Sequence, residues 1–264
     1  MDRDDQRRLA ASFGGAATAY AEHRPDYAPA AVRWALETAP GRRVLDLGAG
    51  TGKLTAALLT AGADVIAVEP DRAMLDQLRR LLPDVVAHPG SAEELPLPDG
   101  SVDAVVAGNA LHWFDLAVAG PEIARVLAPG GILCGLWNVV EDQVPWVAGL
   151  AEVSGPGAIG RRDTPGGWRT STADLLAPVT RAGRGSDACF GEVERADFAH
   201  GQRRTADSLV ATLATRAGML VMPAPEREAT LDRIHAFLAG RPETAGREFT
   251  LPMRTCALRA RRRP

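Results

Sequence analysis

Residues 44–59, VLDLGAGTGKLTAALL, restrict the possible folds more than any other stretch of the chain. An apolar run surrounds Asp46, glycines follow at 48, 50 and 52, and apolar residues then recur at helical spacing. Read physically, this is a buried strand, a turn stripped of Cβ atoms, and a helix whose first unpaired N–H groups face that turn. A strand apolar on both faces needs cover on both, which favours a parallel sheet flanked by helices.

The text that follows repeats the pattern. DVIAVEP, DVVAHPG, SVDAVVAGNAL and ILCGLWN read as four more strands. Between them GKLTAALLTAG, RAMLDQLRRLLP and AGPEIARVLAPGG read as helices, closed by Gly62, by Pro83 and by a glycine pair. Upstream, AASFGGAATAYAEH and APAAVRWALETA read as helices. After Asn138 the pattern loosens. SGPGAIGRRDTPGGWRTS reads as an exposed, partly mobile insertion, TADSLVATLATRA and PEREATLDRIHAFLAG as helices, REFTLPMRTCALRAR as a final strand, and the basic RARRRP as a frayed, solvated tail. The expectation is a single domain over 1–264, with a helical lid at 1–40, a cofactor-binding core at 41–139, and a cap insertion with the final strands at 140–264.

Composition narrows the function. With 264 residues, 46% of them apolar, the chain can bury one large core, and a net charge of −3 lacks the basic balance of a nucleic-acid binder. No apolar run reaches the ~20 residues a membrane helix needs. The charged start MDRDDQRR has no secretory apolar stretch. Cys134, Cys189 and Cys256 are odd in number and far apart, as free thiols of a reducing cytoplasm would be. His23, His88, His200 and His235 lack a partner at metal-ligand spacing, so no metal is expected. The reading is a cytoplasmic monomer or homodimer with no membrane or nucleic-acid partner.

Spacing then separates two ligands. A dinucleotide fingerprint, G-x-G-x-x-G, needs a third glycine where this chain has Lys53, and the glycines here run G-x-G-x-G. Asp46, two residues before the first glycine, would repel a pyrophosphate and attract a cation. S-adenosylmethionine carries an ammonium and a sulfonium and no phosphate. At the end of the next strand Glu69 stands where an acidic side chain accepts ribose hydroxyl protons. A nicotinamide-dependent oxidoreductase is therefore disfavoured.

From Arg43 to Asn138 the chain resembles the class I S-adenosylmethionine-dependent methyltransferases. It is most similar to the small-molecule group of trans-aconitate and ubiquinone/menaquinone type. The matching text is VLDLGAGTGKLT, VIAVEPDRAML, GSAEELPLPDGSVDAVVAGNALHWF and EIARVLAPGGIL, in that order. FGGAATAYAEHRPDY and WNVVEDQVPW extend the resemblance. It implies a doubly wound, mostly parallel seven-stranded α/β sheet with an antiparallel last strand, a helical N-terminal lid and a C-terminal cap insertion. It further implies that Gly48, Gly50 and Gly52 bed the methionine part of the cofactor, with Asp46 near its ammonium. Glu69 would hold the ribose beside Pro70, Met74 would pack near the adenine, and Ser91 stands where the family often has an aspartate facing the adenine amino group. The Ala92 backbone N–H would meet a ring nitrogen, Asn109 would line the methionine end, and Tyr20 and Arg24 would close on the cofactor carboxylate. The product would be S-adenosylhomocysteine.

On the acceptor side ALHWF follows the fourth strand. His112 is the histidine within the four motifs, either a base or a group that orients the acceptor, and Trp113 and Phe114 can wall a pocket. Trp137, Trp146 and Trp168 are either further walls or core. The function expected is methyl transfer to a small molecule at O, N or C by in-line displacement. A methyltransferase fold that binds the cofactor for other chemistry, or for binding alone, is the alternative. A nucleic-acid enzyme would carry a PPY-type tetrapeptide where this chain reads NALH.

Overall fold

A computed structural model of the chain describes residues 14–181 and 188–263. Seven strands form one sheet in the order β3-β2-β1-β4-β5-β7-β6, with the last strand antiparallel. They are β1 Arg43–Leu47, β2 Asp64–Glu69, β3 Val86–Pro89, β4 Val102–Gly108, β5 Leu127–Val140, β6 Phe190–Arg204 and β7 Phe249–Arg262. β1 pairs in parallel with β2 and with β4, so the chain leaves the centre of the sheet in opposite directions and opens a crevice at their carboxyl ends. The expected doubly wound fold is the observed one.

The chain divides into two compact units, 26–137 with 172–198 and 255–264, and 1–25 with 138–171 and 199–254. In the first, α2 (Pro29–Leu36), α3 (Lys53–Thr60), α4 (Arg72–Leu81) and α5 (Leu116–Val126) accompany the parallel strands. Pro29 opens α2, where its missing N–H costs nothing, and Ala31, Val32 and Ala35 pack into a core with Val44, Leu58 and Val106. In the second unit α1 (Ala17–His23) precedes α6 (Pro145–Ala158), α7 (Pro165–Ser171), α9 (Ala206–Ala214), α10 (Ala217–Leu220) and α11 (Ala224–Ala239). Its core contains Trp146, Leu150, Leu213, Met219, Ile234 and Met253. The short helix α8 (Ala177–Thr180) belongs to the first unit. No helix among the described residues is long and apolar enough to cross a membrane.

Four local expectations are corrected. The helix read over AGPEIARVLAPGG stops at Val126, and APGG lies inside β5, where a register shift between Val102 and Ala104 absorbs the extra residues. The segment 154–171 is no loose insertion. It holds the end of α6, a 3-10 turn at Arg161–Asp163 and α7, with Trp168 only 1% exposed. Its glycine content reflects close packing: a Cβ on Gly167 would sit 1.5 Å from the Arg161 carbonyl oxygen. Upstream, the helix read over 10–23 is a 3-10 turn at Gly14–Ala16 followed by α1, and residues 10–13 lie outside those described.

The basic tail is the fourth correction. Its residues 259–262 form the end of β7, an interior strand of the sheet. Arg261 donates to the carbonyls of Gly130 and Thr38, and Arg263 to that of Phe190. Arg259, 5% exposed, donates to the Trp34 carbonyl at 2.6 Å and to Glu194 at 2.8 Å, with its guanidinium 4.1 Å from the Trp34 ring centre. Glu194 lies on β6, which the apolar pattern did not reveal because this edge strand carries charged residues along its exposed positions.

A solvated tail would tolerate truncation, whereas a buried guanidinium with these partners would not. Arg259→Ala is expected to cost about 2 kcal/mol, the scale of charged hydrogen bonds. That corresponds to a fall of roughly 4–8 °C in melting temperature for a chain this size. Thermal unfolding of the two proteins side by side checks it.

Candidate active site

The loop after β1 is built by its glycines. Gly48, Gly50 and Gly52 have φ of 68°, 57° and 89°, a region costly for side-chain-bearing residues. They are not equivalent. A Cβ on Gly48 would meet that of Ala110 at 2.8 Å with the Phe114 ring beyond it, and a Cβ on Gly52 would meet Leu78 and Leu82. A Cβ on Gly50 would meet nothing within 4 Å. Gly50 is therefore the glycine of the three that faces open space.

Glu69 fastens this loop from the next strand. One carboxylate oxygen accepts the Gly50 N–H at 2.8 Å and the other the Asp71 N–H at 2.9 Å. Asp71 in turn caps α4 by accepting the Met74 N–H at 3.0 Å. Glu69 is 7% exposed, and burial raises its pKa against the lowering effect of those two backbone bonds. Pro70 follows at an exposed bend, and the Met74 side chain is buried.

Asp46 lies deeper still, with no exposed surface. Its Oδ2 accepts the Thr55 hydroxyl at 2.6 Å, while Oδ1 is buried without a hydrogen-bond partner among the described residues. Burial is the largest cause of a pKa raised from 3.8 to about 7; the Thr55 bond opposes it and the charge of Glu69 adds to it. Two carboxylates thus stand at neighbouring strand ends, each penalised by desolvation. The Thr51 hydroxyl in the loop is also buried without a hydrogen-bond partner among the described residues. A cationic ligand group near Asp46 would relieve both the unpaired oxygen and the raised pKa.

Beyond β4, Asn109 has φ 52°, the one positive value among described non-glycine residues. Its N–H donates to the Leu136 carbonyl at 2.7 Å and its Nδ2 to the Tyr27 hydroxyl at 3.0 Å. A 3-10 turn, Leu111–Trp113, then presents His112, Trp113 and Phe114, all half-buried. The Trp137 indole N–H donates to His112 Nδ1 at 3.0 Å, and the Trp113 ring centre lies 4.7 Å from that of His112. Ser91 forms an isolated bridge with Glu94, Ala92 is buried, and Glu93 accepts the Asp115 N–H at 3.0 Å. That last bond ties the Ser91–Ala92 segment to the turn carrying His112.

Asp46, the three glycines, Glu69, Pro70, Met74, Ser91, Ala92, Asn109 and the 112–114 turn all fall in the unit that contains residues 26–137. Tyr20 and Arg24 belong to the other unit. There the Arg24 guanidinium lies 4.5 Å from the Tyr20 ring centre and donates to the Thr215 carbonyl. Sequence reasoning missed Tyr27, Thr55 and the role of Trp137. Of the three tryptophans left open, Trp137 meets His112, while Trp146 and Trp168 are buried in the second unit.

Comparison with known proteins shows the family to which this chain is similar. Residues 45–135 match the family described as a methyltransferase domain. An uncharacterized methyltransferase of Mycobacterium tuberculosis is 42% identical over 256 residues, 97% of either chain. A demethylmenaquinone methyltransferase of Beutenbergia cavernae is 44% identical over 100 residues, 38% of this chain and 42% of its own. A solved structure from Anaeromyxobacter dehalogenans, provisionally described as a type II methyltransferase, superimposes with a TM-score of 0.60 at 26% identity, over 90% of this chain and 97% of that one.

The Asp46 environment predicts a pH dependence of stability. A carboxyl with its folded pKa raised above its unfolded value contributes stability that is fully present below the unfolded pKa and lost as pH rises through the folded one. The window runs from about 4 to about 7. Asp46→Asn removes the titration, so it should match the parent near pH 4 and exceed it near pH 8, by up to about 4 kcal/mol at 1.36 kcal/mol per pKa unit. Denaturant unfolding of both proteins across that range measures it.

Proposed function

We infer, for a chain that belongs to the class I S-adenosylmethionine-dependent methyltransferase family, transfer of the cofactor's methyl group to a small-molecule acceptor. One observation carries the cofactor assignment: the fully buried Asp46, with one oxygen unpaired, beside a glycine loop that is open above Gly50. The residues fit the cofactor. Asp46 Oδ1 supplies a counter-charge for its ammonium, and the Thr51 hydroxyl supplies a second unsatisfied polar atom. Each Glu69 oxygen already accepts one backbone N–H and keeps a lone pair for a ribose hydroxyl. Met74, Ser91 and Ala92 would face the adenine, and Asn109 the methionine end.

When bound, S-adenosylmethionine supplies an electrophilic methyl group on a positively charged sulfur. The protein's part is orientation and exclusion of water, contributions that reach on the order of 7–11 kcal/mol in favourable cases. Phe114 and Trp113 give the acceptor side apolar walls, and His112 a polar atom to hold the acceptor. A small-molecule acceptor is supported by the net charge of −3 and by NALH in place of a base-flipping tetrapeptide.

Calorimetry tests the cofactor half. S-adenosylhomocysteine should bind, and NAD much more weakly; the reverse order would sink the assignment. Holding an ammonium requires Asp46 to ionise, so affinity should climb about tenfold per pH unit below about 7 and level off above it. Asp46→Asn should bind weakly and show no such slope.

Glu69→Ala provides a separate reading. It removes a ribose partner and unfastens Gly50, so the dissociation constant should rise at least about tenfold, roughly 1.4 kcal/mol. An unchanged constant would leave Glu69 with a structural role alone. Release of S-adenosylhomocysteine from a panel of small acceptors then reads the transfer itself.

A further inference from the structure

The hydrogen bond between Trp137 and His112 decides which ring nitrogen carries the proton. An indole nitrogen has a hydrogen and no available lone pair, so it can only donate. At 3.0 Å from His112 Nδ1, the Trp137 N–H therefore requires Nδ1 to be the unprotonated nitrogen. In the neutral imidazole the proton is then on Nε2.

The arrangement is built into the strand. Trp137 is 3% exposed and follows Gly135 by two residues on β5, so both fall on one face. Its ring lies across that glycine. A Cβ there would come within 2.4 Å of Cη2 and 2.6 Å of Cζ3, so any larger residue at 135 would push the indole off His112. Trp113 flanks the imidazole as well, with ring planes at 41°.

We propose that Trp137 is a positioning residue for this enzyme: its indole holds His112 with the ring proton on Nε2, so that His112 grips the acceptor as a hydrogen-bond donor and does not deprotonate it. The functional half of this inference rests on the methyl-transfer reading above. Its consequence is chemical. The acceptor must bind with its attacking lone pair already available and with an atom, an oxygen above all, that can accept from Nε2–H. The acceptor forms a bond from that pair to the methyl carbon while the carbon–sulfur bond breaks and its electrons stay on sulfur. An anionic acceptor becomes neutral as the sulfonium charge is discharged, and no proton passes to His112.

The ring state can be read without cofactor or acceptor. In nitrogen-15-labelled protein the His112 resonances, identified by their loss in His112→Gln, should be those of a ring protonated at Nε2 and bare at Nδ1. A through-hydrogen-bond coupling should link Nδ1 to the Trp137 indole nitrogen. Trp137→Phe keeps an aromatic ring and removes the donor; Gly135→Ala keeps both partners and displaces the indole. Each should abolish the coupling and populate the second tautomer. A proton on Nδ1 in the parent protein, or no coupling there, overturns the proposal even if neither variant folds. So does a ring spectrum unchanged in Trp137→Phe.

Turnover tests the role. Glutamine retains a donor, so His112→Gln should keep at least about tenfold more turnover than His112→Ala. Equal loss in both, with an acidic limb of the rate profile vanishing alongside, would make His112 a base and refute the donor. Failure to bind S-adenosylhomocysteine would instead sink the methyl-transfer reading, leaving the ring assignment intact.

Discussion

The Glu69 carboxylate, shared between the N–H groups of Gly50 and Asp71, is the interaction on which the site depends. It joins the loop after β1 to the start of α4, two segments that the parallel register of β1 and β2 brings side by side. The same carboxylate is buried next to Asp46 and raises its pKa further. A fold selected for stability alone would not place two acidic groups there, one with an unpaired oxygen. Local free energy is given up there, a cost that the proposed cofactor would offset by supplying a cation to Asp46 and hydroxyls to Glu69. Such tension between local stability and ligand affinity is characteristic of functional sites.

Much of the parallel half of the sheet was legible because its strands are buried on both faces. Val44–Leu47 and Val102–Ala107 are nearly continuous buried runs, and the helices between them keep their period. Legibility failed where burial is one-sided or where polar groups are paired. β6 mixes exposed and half-buried residues at the sheet edge without a regular alternation, so its charged side chains resemble a loop. Arg259 and Arg261 resemble a solvated tail until their partners, the carbonyls of Trp34, Gly130 and Thr38, arrive from distant parts of the chain. Gly167 resembles a flexible position, yet it is a glycine because a carbonyl oxygen occupies the place of its Cβ.

The site divides in the same way. Asp46, Gly48, Gly50, Gly52 and Glu69 could be read from spacing because a strand, a tight turn and a helix start fix them locally. Thr55, in the first turn of α3, could have been found by asking what satisfies a buried carboxylate nine residues before it. Tyr27 and Trp137 could not be found that way. Their partners, Asn109 and His112, are 82 and 25 residues distant, and only the fold makes them neighbours, through the β4–β5 pairing in the case of Trp137.

That pairing gives the APGG segment of β5 a role that neither a helix stop nor a loop would explain. Val102 faces Leu127, an offset of 25 residues, but Ala104 faces Ile132, an offset of 28, and the larger offset persists to Gly108 and Leu136. Side chains on a strand alternate between faces, so an odd change in register exchanges the face each residue presents relative to its neighbour. Pro129 lacks an N–H for a ladder bond and Gly130 has φ 73°, which suits both to an irregular stretch. Without those additional residues Gly108 would face Leu133, and the indole donor would be out of phase with the turn that carries His112. The ring proton of His112 is thus set, through Trp137, by a register shift earlier in β5.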